Sequence, residues 1–282
     1  MKKIFFSDLD GSLLTDDKRV SPKTMEALSR FVEAGNAFAI CTGRDINSTL
    51  SVYRSLGLNL KESFVVAYNG GLIYDIDNQR PVHREGIPID MVRELLDMAY
   101  SYGLHVHTYN DNFILTEAYN ECVEFYRRVI KTPLIVADDI MPYVDVPPCK
   151  IICIEMHDHE KQDRFRRAVL EKYSDILDSM YSNDYYLELI PKNSGKGNAL
   201  IRLRDILGIK PENVIAAGDG ENDISMIKAA GVGVAMLNAP ENVRAIADVV
   251  TTADNNHDGL ADILLNESKG LSRQSTHFKE SV

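Results

Sequence analysis

The sequence predicts an α/β fold, a parallel sheet covered by helices on both faces, with an α+β domain inserted into it. Three short apolar runs, at residues 4–6, 37–41 and 64–67, each lead into polar or glycine residues, which is typical of buried parallel strands. Segments with helical periodicity separate them, so this part of the chain reads βαβαβ and implies right-handed crossovers. This βαβ order is lost after about residue 83 and returns near residue 194.

The first predicted strand runs into a loop that carries two aspartates, Asp8 and Asp10. They alternate with Leu9, so in an extended chain both carboxylates leave the same face. Ligands of open α/β sheets bind at the carboxyl ends of the strands, which makes this loop a candidate site. A solvated Asp-Gly turn would have the same sequence, and the motif alone does not separate the two interpretations.

The second predicted strand, 37–41, ends in Thr42-Gly43-Arg44 at the start of a helix. A strand, a glycine turn and a helix N-terminus together present free backbone N–H groups that suit a phosphate. An ordinary strand-to-helix connection explains the same residues equally well. The helix before this strand begins at the N-cap Ser21 with Pro22 in its first turn.

The middle of the chain predicts a second domain, because helices and strands alternate there without the βαβ order. The predicted helices lie at 89–102, 118–130 and 159–173, and the predicted strands at 104–109, 150–155 and 185–190. We expect a discontinuous core domain, an inserted α+β domain and a polar tail, at residues 1–83 with 190–266, 84–189 and 267–282 respectively.

The parallel pattern resumes with a helix that opens at residues 194–197 and a strand at 213–217. That strand leads into an acidic loop with Asp219 and Asp223. In a parallel sheet these residues lie near Asp8 and Asp10, and the gathered carboxylates repel one another unless a cation sits among them. Oxygen ligands select Mg²⁺ over softer metals, and an aspartate beside the metal can act as a nucleophile toward phosphorus.

Composition excludes several classes of protein. A net charge of −11 without a strongly basic cluster argues against nucleic-acid and anionic-membrane partners. Aspartates interrupt the N-terminal apolar run, so we expect no signal peptide, and no run reaches the roughly 20 apolar residues of a membrane helix. The four cysteines have no metal-ligand spacing and are expected to be reduced. We therefore expect a cytoplasmic protein.

Four segments resemble, in order, the four motifs of the haloacid dehalogenase superfamily: residues 8–12, residues 42–44, Lys196 and residues 218–223. The likeness extends to about residue 265, with Ser12 where the first motif usually has threonine. The insert lies between the second and third motifs, as in members with a type 2 cap. Residues 69–71 and 235–239 resemble the Cof-type sugar-phosphate phosphatases (type IIB), which implies a Rossmann-like core with a C2B-type cap.

The resemblance also implies roles for individual residues. Asp8 would attack the phosphate and form an aspartyl-phosphate, while Asp10 would protonate the leaving alcohol and later deprotonate water. The implied Mg²⁺ ligands are Asp8, the backbone carbonyl of Asp10, Asp219 and, through water or by orienting the shell, Asp223. The implied phosphate-binding groups are Thr42, the amides of Leu9 and Gly43, Lys196 and Asn222. We expect substrate contacts from Arg44, Asn69, Gly70 and Glu188.

Other sequence features have competing explanations. Lys196 does not belong to a nucleotide P-loop, because Ile190 replaces the first glycine and Gly197 replaces the Ser/Thr. His105 and His107 share one face of a predicted strand, but without a third ligand nearby a packed sheet face explains them better than a metal site. Glu188 lies where the insert returns to the core and, with Tyr185 and Tyr186, lines the cleft or packs in the core.

The sequence thus predicts a Mg²⁺-dependent phosphatase of small phosphorylated metabolites, with sugar phosphates as the first candidates. One alternative is a phosphomutase of the same superfamily, which shares the core and a similar cap. Another is a catalytically idle protein that binds phosphosugars and regulates a partner. The substrate and the oligomeric state stay open, because the deciding residues lie in the insert.

Overall fold

The structure, a computed structural model, describes residues 1–128 and 130–268. The helices are α1 (Pro22–Glu33), α2 (Ile46–Ser55), α3 (Ile89–Ser101), α4 (Glu121–Arg127), α5 (His159–Tyr173), α6 (Lys196–Ile206), α7 (Ile224–Ala229), α8 (Glu241–Arg244) and α9 (Gly259–Ser268). The strands are β1 (Ile4–Asp8), β2 (Ala37–Cys41), β3 (Ser63–Ala67), β4 (Leu72–Asp75), β5 (Arg80–Arg84), β6 (His105–Tyr109), β7 (Ile114–Thr116), β8 (Leu134–Val136), β9 (Ile151–Ile154), β10 (Leu177–Asn183), β11 (Tyr186–Pro191), β12 (Val214–Gly218), β13 (Val232–Ala235) and β14 (Val249–Val250). The predicted polar tail, 267–282, lies outside the described residues from residue 269 onward.

An eight-stranded sheet forms one half of the molecule, in the order β14-β13-β12-β1-β2-β3-β4-β5. The strands from β14 to β3 are parallel, and β4 and β5 extend the sheet as an antiparallel hairpin. The central strand, β1, pairs Ile4 with Val214 on one side and with Ala37 on the other. The α/β class is confirmed, although the sequence did not predict the β4–β5 hairpin.

Both faces of this sheet are covered, which explains why its strands are continuous apolar runs. Phe5 packs against Phe31 of α1, with ring centroids 6.0 Å apart, in a cluster that also includes α9. The next residue, Phe6, points to the other side and packs with Leu200 and Leu203 of α6. Every residue of β1 is buried, so the strand meets solvent only through the loop that follows it.

A six-stranded sheet forms within the insert, in the order β10-β11-β9-β6-β7-β8. Its strands are antiparallel except for the parallel pair β7 and β8. Helices α3 and α5 cover the outer face through residues such as Leu95 and Phe165. This arrangement confirms an α+β unit inserted into the α/β core.

The inner face of the six-stranded sheet packs against the core. One cluster joins Val65 and Leu72 of the core with Tyr109 and Ile152 of the insert. A buried hydrogen bond reinforces the contact, because Thr132 Oγ1 donates to Asp45 Oδ1 at 2.7 Å. Since Asp45 also caps α2, the insert is tied to the helix that follows residues 42–44.

Among the described residues, no helix has both the length and the apolar character needed to cross a membrane.

Candidate active site

The carboxyl ends of β1 and β12 bring three aspartates together. Asp8, Asp219 and Asp223 each offer a carboxylate oxygen within 4.8 Å of the others. Ser12 Oγ donates to Asp219 Oδ1 at 3.0 Å and holds that side chain in place. Gly11 has a φ of +84°, and a Cβ there would lie 2.4 Å from Asp219 Oδ2, so the loop requires glycine at this position.

Lys196, the first residue of α6, extends its side chain to two of these three aspartates. Its Nζ donates to Asp8 Oδ1 at 2.5 Å and to Asp223 Oδ1 at 2.6 Å, and the residue is 1% exposed. Burial acts to lower the pKa of Lys196, but the charges of Asp8 and Asp223 outweigh it and raise the pKa above its usual value. The side chain is therefore an ammonium that is held between two carboxylates.

Asp223 is oriented by the backbone of its own loop. Its Oδ2 accepts hydrogen bonds from the amides of Asp219 at 3.0 Å and Gly220 at 2.9 Å. Gly218 makes this approach possible, because a Cβ at that position would lie 2.4 Å from the Cβ of Asp223. The loop 218–223 thus presents two carboxylates toward Asp8 with little freedom to move.

The electrostatics of this group suit a divalent cation. Burial raises the pKa of Asp8 to about 7, and repulsion from Asp223 and Asp219 adds to the rise while Lys196 opposes it. Burial is also the main cause that raises the pKa of Asp219. Three carboxylates face one ammonium, and all the donor atoms are hard oxygens. The donor set therefore fits a metal ion such as Mg²⁺, whose charge would favour the ionised carboxylates.

Asp10 lies at the same sheet edge, but its side chain turns away from the three aspartates. Arg44 binds it with both ends of its guanidinium, Nε to Oδ2 at 2.8 Å and Nη2 to Oδ1 at 2.7 Å, and Lys18 adds a contact of 2.8 Å. Burial acts to raise the pKa of Asp10, but the bonds from Arg44 and Lys18 outweigh it and lower the pKa below its usual value. The described arrangement therefore holds Asp10 as a carboxylate.

The loops that follow β2 and β3 form the next part of the site. Thr42 is anchored by its backbone, which bonds to Val66 and to Asn69 at 2.9 Å each. Asn69 has a φ of +52°, and its side-chain Oδ1 accepts a hydrogen bond from Asn222 Nδ2 at 3.4 Å. Gly70 packs so closely on Gly195 that a Cβ would lie 2.3 Å from the Gly195 carbonyl oxygen. Residues 69–70 thus contact Thr42, Asn222 and the residue before Lys196, and Lys196 in turn contacts Asp8, so all four motif segments meet.

A cleft of about 720 Å³ runs between the aspartates and the insert. Most of the residues predicted for the site line it: Asp8, Asp10, Thr42, Gly43, Arg44, Asn69, Glu188, Asp219, Asn222 and Asp223. Leu9, Gly70 and Lys196 are not lining residues. The Leu9 side chain is fully buried in the core, so only its backbone is available to a ligand.

The insert contributes residues that sequence reasoning missed. Met180, Tyr181 and Ser182 of β10 line the cleft opposite the core loops. The sequence did not predict β10, because its residues 177–183 are a mixed polar and apolar run without a clear period. Lys150 was also missed, although it is buried beside Glu188 with Nζ 3.1 Å from Oε1. No pattern along the chain identifies these side chains as neighbours of the site.

The two histidines behave as parts of a packed sheet face. His105 and His107 are buried on β6, and the His107 ring lies 4.5 Å from that of Tyr126. Among the described residues, the three aspartates are the one group of at least three potential ligand residues that comes close enough to hold a metal. This agrees with packing as the better explanation of the pair.

All four cysteines are free.

Comparisons with known proteins agree with this geometry. A sequence model of the haloacid dehalogenase-like hydrolases matches residues 5–264. The chain is 28% identical over 272 residues to the pyridoxal phosphate phosphatase YbhA of Escherichia coli, covering 93% of this chain and 97% of that one. It is also 28% identical over 272 residues to the 5-amino-6-(5-phospho-D-ribitylamino)uracil phosphatase YitU of Bacillus subtilis, covering 91% and 94%.

A solved structure gives the same result for the fold. The crystal structure of a haloacid dehalogenase-like hydrolase from Bacteroides thetaiotaomicron superposes with a TM-score of 0.83 at 30% identity, covering 94% of this chain and 98% of that chain. The family model, the relatives and the fold therefore agree over nearly the whole chain. The chain belongs to the haloacid dehalogenase-like hydrolase family, and it is a phosphatase of that family.

Proposed function

We propose that the protein is a Mg²⁺-dependent phosphomonoester hydrolase of small phosphorylated metabolites, with sugar phosphates as the leading candidates, that works through an aspartyl-phosphate on Asp8. One observation carries this proposal: Asp8 ends the central strand in a cleft, bonded to Lys196 and within 4.8 Å of two further carboxylates. An aspartate in that position can act as a nucleophile, with a fixed cation, Lys196, and a candidate metal site beside it.

In the proposed first step, a carboxylate oxygen of Asp8 attacks phosphorus in line with the bond to the leaving oxygen, which breaks. Asp10 gives its proton to that oxygen, so the leaving group departs as an alcohol. In the second step Asp10 takes a proton from water, the water oxygen attacks phosphorus, and the bond from phosphorus to Asp8 breaks. Asp10 lines the same cleft, but it has to leave Arg44 and Lys18 before it can take up a proton.

The other proposed roles follow from position. Asp8, Asp219 and Asp223, with the Asp10 carbonyl, would hold Mg²⁺, which neutralises phosphate charge when bound. Lys196 keeps the Asp8 carboxylate oriented and supplies fixed positive charge. The proposed phosphate ligands are Thr42, Asn222, Lys196 and the amides of Leu9 and Gly43.

We propose that the insert acts as a cap over this cleft. Residues 84–189 would form the cap, and residues 1–83 with 190–266 the core domain, as in the Cof-type subfamily. The contact of insert residues Met180 and Glu188 with the cleft supports this division. Such a cap would exclude water from the reacting phosphate and select the leaving group. A cytoplasmic location stays a prediction from the sequence.

Phosphate release from a panel of phosphorylated sugars, nucleotides and cofactors tests the proposal, with Mg²⁺ and with a chelator. We expect the parent protein to release phosphate when Mg²⁺ is present and not when the chelator is present. Asp8→Asn should lower the rate of phosphate release by more than about 1,000-fold, because a near-isosteric amide replaces the nucleophile. Asp17→Asn, at an exposed position of the same loop, is the matched control. An active Asp8→Asn protein, or release that the chelator does not affect, would contradict the mechanism.

The same panel separates the alternatives. A phosphomutase would return isomerised phosphate esters with little free phosphate. A regulatory binding protein would bind a sugar phosphate without turnover. Mass analysis of the products and of bound ligand distinguishes these two outcomes from hydrolysis.

A further inference from the structure

The wall of the cleft that faces the aspartates carries a buried ion pair. Lys150 and Glu188 lie on the inner face of the six-stranded sheet, with Lys150 Nζ 3.1 Å from Glu188 Oε1 and both side chains 5% exposed. Their surroundings are apolar and aromatic: Glu188 pairs across the sheet with Ile152 and Met180, and Lys150 lies 5.8 Å from the centre of the Tyr109 ring. A charged pair in such surroundings needs an explanation.

Stability does not supply one. A buried ion pair loses its hydration, and well-packed apolar residues of similar size often give equal or greater stability. This pair is also incompletely bonded, because Glu188 Oε2 is buried without a hydrogen-bond partner in the described part of the chain. A buried carboxylate oxygen without a donor costs about 1–3 kcal/mol. The site is therefore built with acceptor capacity that the protein itself does not use.

The position of the pair connects it to the proposed phosphate site. Lys150 Nζ also donates to the carbonyl oxygen of Gly43 at 3.4 Å, and Glu188 lines the same cleft as Asp8. The pair thus lies one hydrogen bond from the loop whose amide is proposed to bind phosphate. A phosphomonoester with its phosphate between Asp8 and Gly43 has its leaving group in the cleft that Glu188 lines.

Carboxylate chemistry then defines what this wall accepts. The terminal torsion of a glutamate is broad, and Glu188 lines the cleft, so its carboxylate can rotate to present one oxygen to a ligand while the other stays with Lys150. A carboxylate accepts hydrogen bonds from hydroxyl or amine donors and repels a second phosphate or carboxylate. Lys150 offsets part of this repulsion, and the part that remains is stronger than in bulk water because the pair is shielded from solvent.

We propose that Glu188, held in place by Lys150, is a specificity-determining residue that selects monophosphates whose leaving group carries hydroxyl or amine donors and no second acidic group. This inference rests on the proposed function and deepens it, since it defines the chemistry of the leaving group. It makes Lys150 a positioning residue.

The test compares catalytic efficiency, kcat/KM, across three kinds of phosphate ester. Glucose 6-phosphate and ribose 5-phosphate carry hydroxyl donors, p-nitrophenyl phosphate has none on its leaving group, and fructose 1,6-bisphosphate carries a second anion. We expect Glu188→Gln to lower kcat/KM for the two sugar monophosphates by about 10- to 100-fold and to change p-nitrophenyl phosphate by less than about 3-fold. Glu188→Gln should also lower, by about 10-fold, the ratio of kcat/KM for the sugar monophosphates to kcat/KM for the bisphosphate.

Two further variants separate recognition from folding. Glu155→Gln is the matched control, because Glu155 pairs with Lys161 beside the same sheet but outside the cleft, and we expect no change of preference. The double variant Lys150→Met with Glu188→Met replaces the pair by apolar residues of similar size. It should stay folded by circular dichroism and show the same loss for sugar phosphates, which excludes an unpaired Lys150 as the cause. Circular dichroism of Glu188→Gln itself checks that the single variant is folded.

Binding to the Asp8→Asn protein provides a readout that does not depend on turnover. Calorimetry should show that adding Glu188→Gln weakens binding of the sugar phosphates by at least about 10-fold, with inorganic phosphate unaffected. An equal loss for all esters, no loss, or a parent preference for the bisphosphate would overturn the inference. If the parent protein releases no phosphate from any ester, the proposed function fails, and the binding comparison still decides the role of Glu188.

Discussion

The two walls of the cleft are built in opposite ways. On the core wall, the charged groups are held by hydrogen bonds within the protein: Lys196 lies between Asp8 and Asp223, and the second oxygen of Asp223 accepts two backbone amides. On the insert wall, Glu188 keeps an oxygen without a partner among the described residues. His105 lies on β6 of the same sheet, outside the cleft, and both of its ring nitrogens also lack a partner among those residues.

The difference shows how one fold can combine fixed chemistry with variable selection. Charges that are already oriented, such as those of Lys196 and Asp223, act without reorganisation when the reaction occurs, which suits the step that every phosphate ester shares. Unused hydrogen-bonding capacity gains a partner only when a ligand supplies one, which suits the leaving group. Three substitutions test this contrast, on the core wall, in the sheet of the insert and at the contact between core and insert.

The largest effect is expected on the core wall, from Lys196→Met. Removing the ammonium leaves Asp8 and Asp223 facing each other in a buried site, so we expect a loss of about 3 kcal/mol in the free energy of unfolding. Phosphatase activity should fall by at least about 100-fold, since the fixed charge beside the nucleophile is gone. Urea unfolding and phosphate release measure both.

The matched control for this change is Lys192→Met, an exposed lysine just before the same helix. Added Mg²⁺ should stabilise the Lys196→Met protein more than the parent, because the metal would replace part of the missing positive charge. A variant as stable and active as the parent would show that the core wall is not organised by this lysine.

The second prediction concerns the two buried histidines of β6 in the insert. Burial lowers the pKa of His105 from 6.5 to about 4. Above pH 6.5 the residue is neutral in both states; as the pH falls from 6.5 toward 4, the unfolded chain takes up a proton that the folded protein does not. The free energy of unfolding should therefore decrease, by about 2 kcal/mol at pH 5 for this residue alone.

Urea unfolding at pH 7.5 and pH 5 of the parent and of His105→Leu measures that contribution. The variant should lose part of the pH dependence and no more, because His107, whose pKa burial also lowers, remains. His157→Gln, at a side chain 71% exposed, should leave the pH dependence unchanged. Identical curves for the parent and His105→Leu would mean that β6 does not hold a neutral histidine at this position.

The smallest effect is expected at the contact between the walls, from Thr132→Val. This near-isosteric change removes the hydrogen bond of 2.7 Å to Asp45 Oδ1, and we expect a loss of about 1 kcal/mol in stability. Ser55→Ala, at an exposed position near the end of α2, is the control. Thermal unfolding compares the two, and a Thr132→Val protein with the parent's stability would show that this bond does not hold the insert to the core.

Much of the core was predictable because its signals are local. The runs that became β1, β2 and β3 are apolar throughout, since helices cover both faces of the sheet, and the polar residue after each run marks the edge where ligands bind. The approach of Asp8, Asp219 and Asp223 follows from that topology alone. The antiparallel pair β4 and β5 was not predicted, because no residue of β5 is fully buried and the strand lacks an apolar face.

The insert was predicted less well because its contacts are not local. The helix expected at 118–130 is shorter, Glu121–Arg127, and β7, β8 and β10 were not expected. These strands are short or mixed in polarity, and they exist because neighbouring strands pair with them. Glu188 was expected in the cleft or beside it, but its partner Lys150 lies 38 residues earlier, and only strand pairing brings the two together.

By itself the sequence determined the class of fold, the edge of the sheet that carries the chemistry and the residue types gathered there, because strand period and strand order place them. Only the tertiary structure decided which way those side chains turn. It directs Asp10 toward Arg44 and away from the other carboxylates, and it sets Lys150 beside Glu188 across from the core loops. Orientation depends on contacts between segments far apart in the chain, and no periodicity along the chain encodes them.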